Sequence, residues 1–171
     1  MAVRYCEEHK IFKLDTKNTT YMIGLTPEGY VGHVYYGEYM ESADGAYLLR
    51  TGEHPYTPAV TPREKSSFLD FFPTEYPTGG IGDYRESCLD VRGETGCRGC
   101  EILYDSHNIQ KGKPKLNGLP ASFGTEDETD TLEIVCMDKV LNLKVILSYS
   151  VFEEDDMITR NVRLVNEGEE H

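Results

Sequence analysis

Apolar and polar residues alternate along much of the chain, and this period of two places successive side chains on opposite faces of a β-sheet. In the longest run, 140–152, the apolar face consists of Leu141, Leu143, Val145, Leu147, Tyr149 and Val151. A shorter run at 131–136 precedes it, with Asp138 and Lys139 as a hairpin turn. A third run begins at Ile158, after an acidic cluster at 153–156 that we interpret as a solvated turn. These runs predict a meander of three antiparallel strands.

The N-terminal part repeats the pattern in a predicted hairpin. Alternating residues from Tyr21 to Leu25 lead into a turn, and a second run covers 30–37. Pro27 presets φ at the second turn position and Gly29 follows it, a combination typical of a tight turn. The best helical candidate, 39–49, lacks a persistent apolar face. The sequence therefore predicts an all-β fold, an antiparallel β-sandwich, in a single domain over 1–171.

Proline and glycine dominate the segment from 50 to 83, which separates the two β-rich regions. Proline cannot donate to a strand ladder, so we expect a loop that crosses the surface. At its end, Asp83, Tyr84 and Arg85 follow closely spaced glycines and combine an aromatic face with a forked hydrogen-bond donor, as sugar-binding sites do. The structural alternative is that Asp83 caps a turn and Arg85 pairs with an acid.

The charge balance limits the partners of the chain. It has 17 Lys plus Arg against 30 Asp plus Glu, a net charge of −13, which repels nucleic acid and anionic lipid. No apolar stretch approaches the roughly 20 residues of a membrane span, and the N-terminus lacks a signal-peptide core. We predict a cytoplasmic protein without nucleic-acid or membrane partners. The odd count of 5 cysteines favours reduced thiols.

Neither a metal site nor a catalytic motif is predicted from the residue spacing. Cys97 and Cys100 form a CxxC motif, but a structural zinc site needs four ligands, and only Cys88 and His107 could fold close to it. We interpret the motif as a hairpin tip with two free thiols and expect no metal or other cofactor. No HExxH or GxSxG motif is present, and 171 residues are too few for a (β/α)8 barrel of about 250.

Several short motifs occur in a fixed order from about residue 10 to the end. They are Gly32–Gly37, Glu75–Pro77, Gly82–Arg85, Gly112–Pro114, Gly118–Ala121, Thr131–Ile134, Tyr149 with Val151–Glu153, and Ile158–Asn166. Together they closely resemble the N-terminal domain of family 36 glycoside hydrolases, the bacterial α-galactosidases.

The resemblance implies a galactose-mutarotase-like β-supersandwich that precedes a catalytic (β/α)8 domain, which supplies both aspartates of a retaining mechanism. We therefore expect a non-catalytic domain that is truncated at its C-terminus, inactive alone, and part of an oligomeric enzyme for terminal α-galactosides such as melibiose and raffinose. If strands are missing, an open sheet edge, an apolar face or self-association should result.

In this family, a loop of the N-terminal domain reaches toward the active site of a neighbouring subunit. By analogy, the expected substrate-binding residues are Tyr47, His54, Tyr56, Tyr84 and Arg85. The expected structural motif consists of Tyr76, Pro77, Gly82 and Asp83. The family often has a phenylalanine after the Tyr-Gly strand, whereas the stretch 44–47 has none.

Two other functions are compatible with the residues. The first is a free-standing carbohydrate-binding module that stacks tyrosine faces on sugar rings. The second is a sugar epimerase on a related supersandwich, with His107 and either Glu101 or Glu133 as acid and base.

Overall fold

A computed structural model describes residues 1–49, 69–80, 82–118 and 121–168. The strands are β1 (Val3–Cys6), β2 (Ile11–Asp15), β3 (Thr19–Leu25), β4 (Val31–Glu38), β5 (Leu103–Lys111), β6 (Thr129–Asp138), β7 (Leu143–Phe152) and β8 (Met157–Asn166). They form two four-stranded antiparallel sheets, ordered β1-β2-β3-β4 (the first sheet) and β5-β6-β7-β8 (the second sheet). The predicted all-β fold with antiparallel sheets is confirmed.

The predicted N-terminal hairpin is formed by β3 and β4. Gly29 adopts φ of 97° and its amide donates to the carbonyl of Thr26 at 2.9 Å, which closes the turn. Because a side chain rarely tolerates that backbone conformation, the glycine is required at this position. Proline and glycine thus place the turn where the sequence predicted it.

The predicted meander is formed by β6, β7 and β8, but its first turn is longer than expected. β7 begins at Leu143, so the turn covers 139–142. The Asp138 carboxylate accepts hydrogen bonds from the amides of Val140 and Leu141, at 2.9 and 3.0 Å. These hydrogen bonds and the positive φ of 50° at Asn142 hold residues 139–142 in a turn. The strand therefore starts later than the alternating pattern in the sequence.

The two sheets face each other across one apolar core. Its buried members are Ala2, Val3, Phe12, Leu14, Ile23, Leu25, Val31, Leu132, Ile134, Cys136, Val145, Leu147, Tyr149 and Val151. They come from the inward positions of both sheets, and their burial is the main source of stability because each large side chain contributes about 1.5–3 kcal/mol. The alternation in β7 therefore marks the inner face of the second sheet.

A segment that we call the strap, residues 39–49, covers the outer face of the first sheet. Beneath it, the side chain of Lys13 is only 1% exposed, and its ammonium lies 2.6 Å from the Asp15 carboxylate and 4.9 Å from the centre of the Tyr39 ring. Arg4 and Thr20 also donate to Asp15, each at 2.7 Å. In the strap, Ala46–Leu48 form a single 3₁₀ turn, and the absence of a longer helix there agrees with the prediction.

The outer face of the second sheet carries rows of polar side chains. Strand register aligns two polar rows across all four strands: Asn108, Glu133, Ser148 and Asn161, then Gln110, Thr131, Ser150 and Thr159. Hydrogen bonds join some of these groups, as between Thr131 and Ser150 at 2.8 Å. Because these rows are polar, they do not form the open apolar sheet face that we expected. Self-association stays a prediction.

The acidic turn 153–156 is a contact between the sheets and not only a solvated turn. Asp156 accepts hydrogen bonds from the hydroxyl of Thr16 and the amide of Asn18, both at 2.8 Å. The Lys17 amide donates to the carbonyl of Glu153 at 2.9 Å. Because Thr16, Lys17 and Asn18 connect β2 to β3, this clasp joins one hairpin of each sheet.

Within the described residues, no helix has both the length and the apolar character needed to cross a membrane.

Candidate functional site

The part of the Pro/Gly segment at 69–80 is built into the edge of the first sheet. Gly32 and Thr74 form an antiparallel bridge, and the amide of His33 donates to the carbonyl of Pro73 at 2.7 Å. Leu69 and Phe72 are buried, at 5% and 0% exposure. The segment is a loop, as the sequence predicted, but the buried side chains of Leu69 and Phe72 anchor it to the molecule.

Glu75 lies between the two sheets in a cluster of polar side chains. Its carboxylate accepts hydrogen bonds from the hydroxyls of Tyr21 at 2.7 Å and Tyr149 at 2.8 Å, and Arg160 is 3.1 Å away. Burial, reinforced by the charge of Glu75, raises the pKa of both tyrosines well above their usual value. Because Tyr21 belongs to β3 while Tyr149 and Arg160 belong to the second sheet, Glu75 ties the loop to both sheets.

Asp83 and Arg85 form a bidentate ion pair that fixes the end of the segment. The Arg85 Nε and Nη2 donate to the two carboxylate oxygens of Asp83, each at 2.8 Å. Nη2 also donates to the carbonyls of Leu69 and Phe72, at 3.1 and 2.8 Å. The guanidinium bonds hold the pKa of the Asp83 carboxyl below its usual range. This geometry agrees with the structural alternative, in which Arg85 holds the loop together.

Tyr84 projects from between these two fixed neighbours and is 89% exposed. Tyr47, in the strap, is 75% exposed, and no hydrogen bond or ring contact joins the two among the described residues. An exposed aromatic ring on a braced backbone loses little conformational entropy when it binds a partner. His54 and Tyr56 lie outside the described residues.

Residues of the expected structural motif lie in one locally bonded turn, and the role of the motif stays a prediction. Tyr76 donates its hydroxyl to the carbonyl of Cys88 at 3.2 Å, and the amide of Cys88 donates to the carbonyl of Pro77 at 2.8 Å. Gly82 adopts φ of 77°, next to Asp83. These bonds bring residues 76–78 close to Cys88, and Tyr84 lies in the turn between them.

A small cavity of about 40 Å³ lies behind this turn. Its lining includes Tyr30, Thr78, Cys100 and Glu101, and the Tyr30 hydroxyl donates to the Glu101 carboxylate. The volume holds one or a few waters, since a water needs roughly 10–15 Å³ by this measure. A sugar ring does not fit, so any sugar contact of this region must use its outer surface.

The CxxC motif is not a pair of exposed thiols. The turn at 93–97 leaves Cys97 exposed, while Cys100 is only 2% exposed. Burial raises the pKa of the Cys100 thiol to about 11, which makes it a poor nucleophile. All five cysteines are free, and no group of three or more metal-ligating side chains occurs in the described ranges.

The epimerase-type acid–base pair is not assembled. His107 pairs with Ile134 across the ladder and packs against Phe12 in the core, with its Nδ1 2.7 Å from the Tyr104 hydroxyl. Glu133 lies on the opposite face of β6, because facing partners in a ladder share a face and Glu133 pairs with Asn108. Glu101 is engaged by Tyr30.

The buried carboxylates all hold structural bonds. Besides Asp15, Glu75, Asp83 and Asp138, described above, Asp130 accepts from the Ala2 amide and contacts the Lys111 ammonium at 2.8 Å. A glycosidase needs two carboxyl groups facing an open cleft. The five acidic residues that are buried as a whole in the described part of the chain are therefore engaged, and among the partly buried ones Asp70 keeps one buried oxygen without a hydrogen bond.

Sequence reasoning missed Tyr21, Tyr149 and Arg160 as partners of Glu75. One signal was available: Tyr149 interrupts an aliphatic row in β7, and a buried tyrosine hydroxyl usually has a hydrogen-bond partner.

The family model for the "Glycosyl hydrolase family 36 N-terminal domain" matches residues 29–171. The bifunctional alpha-galactosidase/sucrose kinase AgaSK of Mediterraneibacter gnavus is 41% identical over 170 residues, which are 98% of this chain and 18% of that protein. The alpha-galactosidase AgaA of Geobacillus stearothermophilus is 36% identical over 171 residues, 99% of this chain and 24% of that protein.

Solved structures agree. The galactosidase domain of AgaSK superposes with a TM-score of 0.89 at 40% identity, covering 98% of this chain and 23% of that one. The α-galactosidase AgaB of Geobacillus stearothermophilus gives 0.86 at 37% identity, with 98% and 23% coverage. The chain thus spans about a fifth of the length of these relatives. It belongs to the glycoside hydrolase family 36 N-terminal domain family.

Proposed function

We propose that this chain acts as a non-catalytic domain of an α-galactosidase, supporting the assembly of a larger enzyme that hydrolyses terminal α-galactosides of the melibiose and raffinose type. One observation carries the proposal: relatives named as α-galactosidases match nearly all of this chain with only about a fifth of their own length. The bond-breaking carboxylates would then belong to a catalytic (β/α)8 domain elsewhere in the enzyme.

The chemistry of the domain supports this division of labour. A retaining glycosidase places its two carboxyl groups about 5–5.5 Å apart around the scissile bond. Here the buried Glu75 and Asp83 are engaged by tyrosine hydroxyls and arginines. Such carboxylates brace a scaffold and are not available as a nucleophile or an acid.

The surface around Tyr84 is the part of the domain we propose to contact substrate or the catalytic domain. Tyr84 and Tyr47 would offer exposed rings, and His54 and Tyr56 are further candidates by family analogy. Arg85 would act as a positioning residue, because its guanidinium already bonds Asp83 and two backbone carbonyls.

The finer features of the proposal follow from the same family. A single domain over 1–171, a supersandwich architecture, a homo-oligomeric enzyme and a cytoplasmic location all fit this function. The five free thiols support a reducing compartment, where disulfides are rare.

Incubation of the chain with an aryl α-galactoside tests the central claim. We expect no turnover above a heat-treated control, with the galactosidase domain of AgaSK as the positive control. Turnover that follows the folded chain through purification would refute the proposal.

A calorimetric titration with raffinose separates this function from a carbohydrate-binding module. An isolated assembly domain should give no saturable heat, because its proposed contact with substrate is made only beside the catalytic domain. Saturable binding that Tyr84→Ala abolishes, with the fold intact by circular dichroism, would favour the binding module.

A further inference from the structure

A groove crosses the outer face of the second sheet. Strands β6, β7 and β8 form its floor, and residues 113–117 form one wall. Its volume is about 430 Å³, which lies in the range of roughly 300–1,000 Å³ found for small-molecule sites. The groove lies on the outer face of the second sheet, whereas the Glu75 cluster lies between the two sheets and Tyr84 lies in the turn that follows Glu75.

Three cations line the groove: Lys113, Lys115 and Arg163. None of their side chains has an ion pair or a hydrogen bond in the described part of the chain. The other cations there are engaged by an acid, except Arg92 and Lys139. In a chain with a net charge of −13, three neighbouring cations without an acidic partner form a locally positive site.

The floor of the groove offers groups that bind hydroxyls. Glu133, Ser148 and Asn161 are register neighbours on three adjacent strands, so they lie about 4.8 Å apart from strand to strand. The Asn161 amide has no side-chain partner among the described residues, and Glu133 receives only a long hydrogen bond of 3.3 Å from Ser148. A carboxylate accepts hydroxyl protons, and an amide both donates and accepts.

We propose that this groove binds an anionic sugar, with Arg163, Lys113 and Lys115 holding the acid group and Glu133 and Asn161 holding ring hydroxyls. A neutral sugar would leave the three cations without a negative partner. An inorganic anion would meet the Glu133 carboxylate without donating ring hydroxyls to it. Both should therefore bind more weakly than one molecule that carries the two kinds of group. The assignment does not depend on the function proposed above.

Titration of the ¹⁵N-labelled chain, followed by amide chemical shifts, tests the site. The probes are galactose 6-phosphate, galacturonate, neutral galactose and inorganic phosphate. We expect saturable chemical-shift changes at 113–117 and at the centres of β7 and β8 with at least one anionic sugar. Comparison of galactose 6-phosphate with galacturonate shows whether the acid group is a phosphate or a carboxylate. No saturable shift with either anionic sugar, or equal affinity for inorganic phosphate, would overturn the proposal.

Charge variants define the site further. Arg163→Gln and Lys115→Gln should each weaken binding about tenfold, because each removes a charge-assisted hydrogen bond. Lys139→Gln and Arg92→Gln remove unpaired cations that lie outside the groove lining and should leave the affinity unchanged. A loss of equal size in both pairs would show a diffuse field effect and contradict the assignment.

Glu133→Gln distinguishes a sugar site from a phosphate site. Inorganic phosphate should bind more tightly to this variant because a like charge is removed, while the preference for the anionic sugar over inorganic phosphate should fall. An unchanged preference would exclude Glu133 as a hydroxyl-binding group and overturn the sugar assignment.

Discussion

The two sheets share one core but differ in their outer faces. On the first sheet, the strap covers Lys13, and both Lys13 and the half-exposed Arg4 are bound to Asp15. On the second sheet, the cations Lys115 and Arg163 line an open groove and have no acidic partner among the described residues. The first face uses its charges internally, whereas the second presents them to solvent.

This difference indicates where a ligand can act and where stability originates. A charge sealed under protein must be paired, because an isolated buried ion costs several kcal/mol. A charge at an open groove is hydrated and remains available to a partner. The first face is therefore expected to respond to mutation through stability and the second through binding.

Asp15→Ala should give the largest effect on stability. It leaves the Lys13 ammonium, in a side chain only 1% exposed, without its carboxylate, and loss of one member of a buried pair costs about 3–5 kcal/mol. Urea unfolding measures the change. Glu133→Gln on the open face should stay within about 0.5 kcal/mol, and similar losses in the two variants would contradict the comparison.

Gly24→Ala should have the next largest effect, because it disturbs the seating of the strap. A Cβ at this position would lie 2.9 Å from Val34 and 3.1 Å from both Ile11 and Leu49. Overpacking of this kind costs about 1–3 kcal/mol. Thermal unfolding should show a lower midpoint, while Asn108→Ala on the open face serves as a near-neutral control. An unchanged midpoint for Gly24→Ala would mean that the strap is not tightly packed.

The clasp at Asp156 should make stability depend on acidic pH. Hydrogen bonds, first from the Asn18 amide and then from the Thr16 hydroxyl, lower the pKa of Asp156. The contribution of ionised Asp156 to the free energy of unfolding is present above the unfolded-state pKa of about 3.9. It is lost as the pH falls through the pKa of Asp156 in the folded state. Unfolding free energies at a series of pH values should show a shallower acid slope for Asp156→Asn.

The neighbouring Asp155 provides the control for the clasp. It has no hydrogen bond in the described part of the chain, so Asp155→Asn should reproduce the slope of the unchanged chain. If the two variants behaved alike, the slope would reflect net charge and not the clasp.

The reactivity of the cysteines should differ between the surface and the core, and labelling of the exposed thiols should change stability least. Cys88 and Cys97 are exposed and should react with a maleimide in the native chain. Cys100 and Cys136 are buried, and burial raises their pKa to about 11 and about 12, so they should react only after unfolding. Mass spectrometry counts the labels. Rapid native labelling of Cys136 would show that the core between the sheets opens readily.

The sequence could predict hairpins wherever alternation and turn chemistry coincide. Pro27 and Gly29 mark the turn between β3 and β4, and the alternation in β7 follows one buried face. β2 gives no such pattern, because all five of its residues are buried and Lys13 lies under the strap. The sequence did not predict β5, because an irregularity at Asp105 shifts the pairing register between β5 and β6.

The candidate site could be predicted only in part. The sequence suggested, as an alternative, that Arg85 pairs with an acid, but it did not identify that acid as Asp83, which lies two residues away. Glu75 meets Tyr149 and Arg160 over separations of 74 and 85 residues, and a single sequence does not reveal such contacts. The groove depends on strand register as well, because only the ladder places Glu133 beside Ser148 and Asn161.

The simple strand order of both sheets has a consequence for folding kinetics. Each sheet is a chain of sequential neighbours, so its ladders close short loops and should form early, whereas joining the sheets requires distant contacts and should come late. We expect Glu75→Gln chiefly to accelerate unfolding, and Gly29→Ala chiefly to slow refolding, in stopped-flow measurements. A φ-value near one at Glu75 would reverse that order and place the docking of the two sheets in the nucleus.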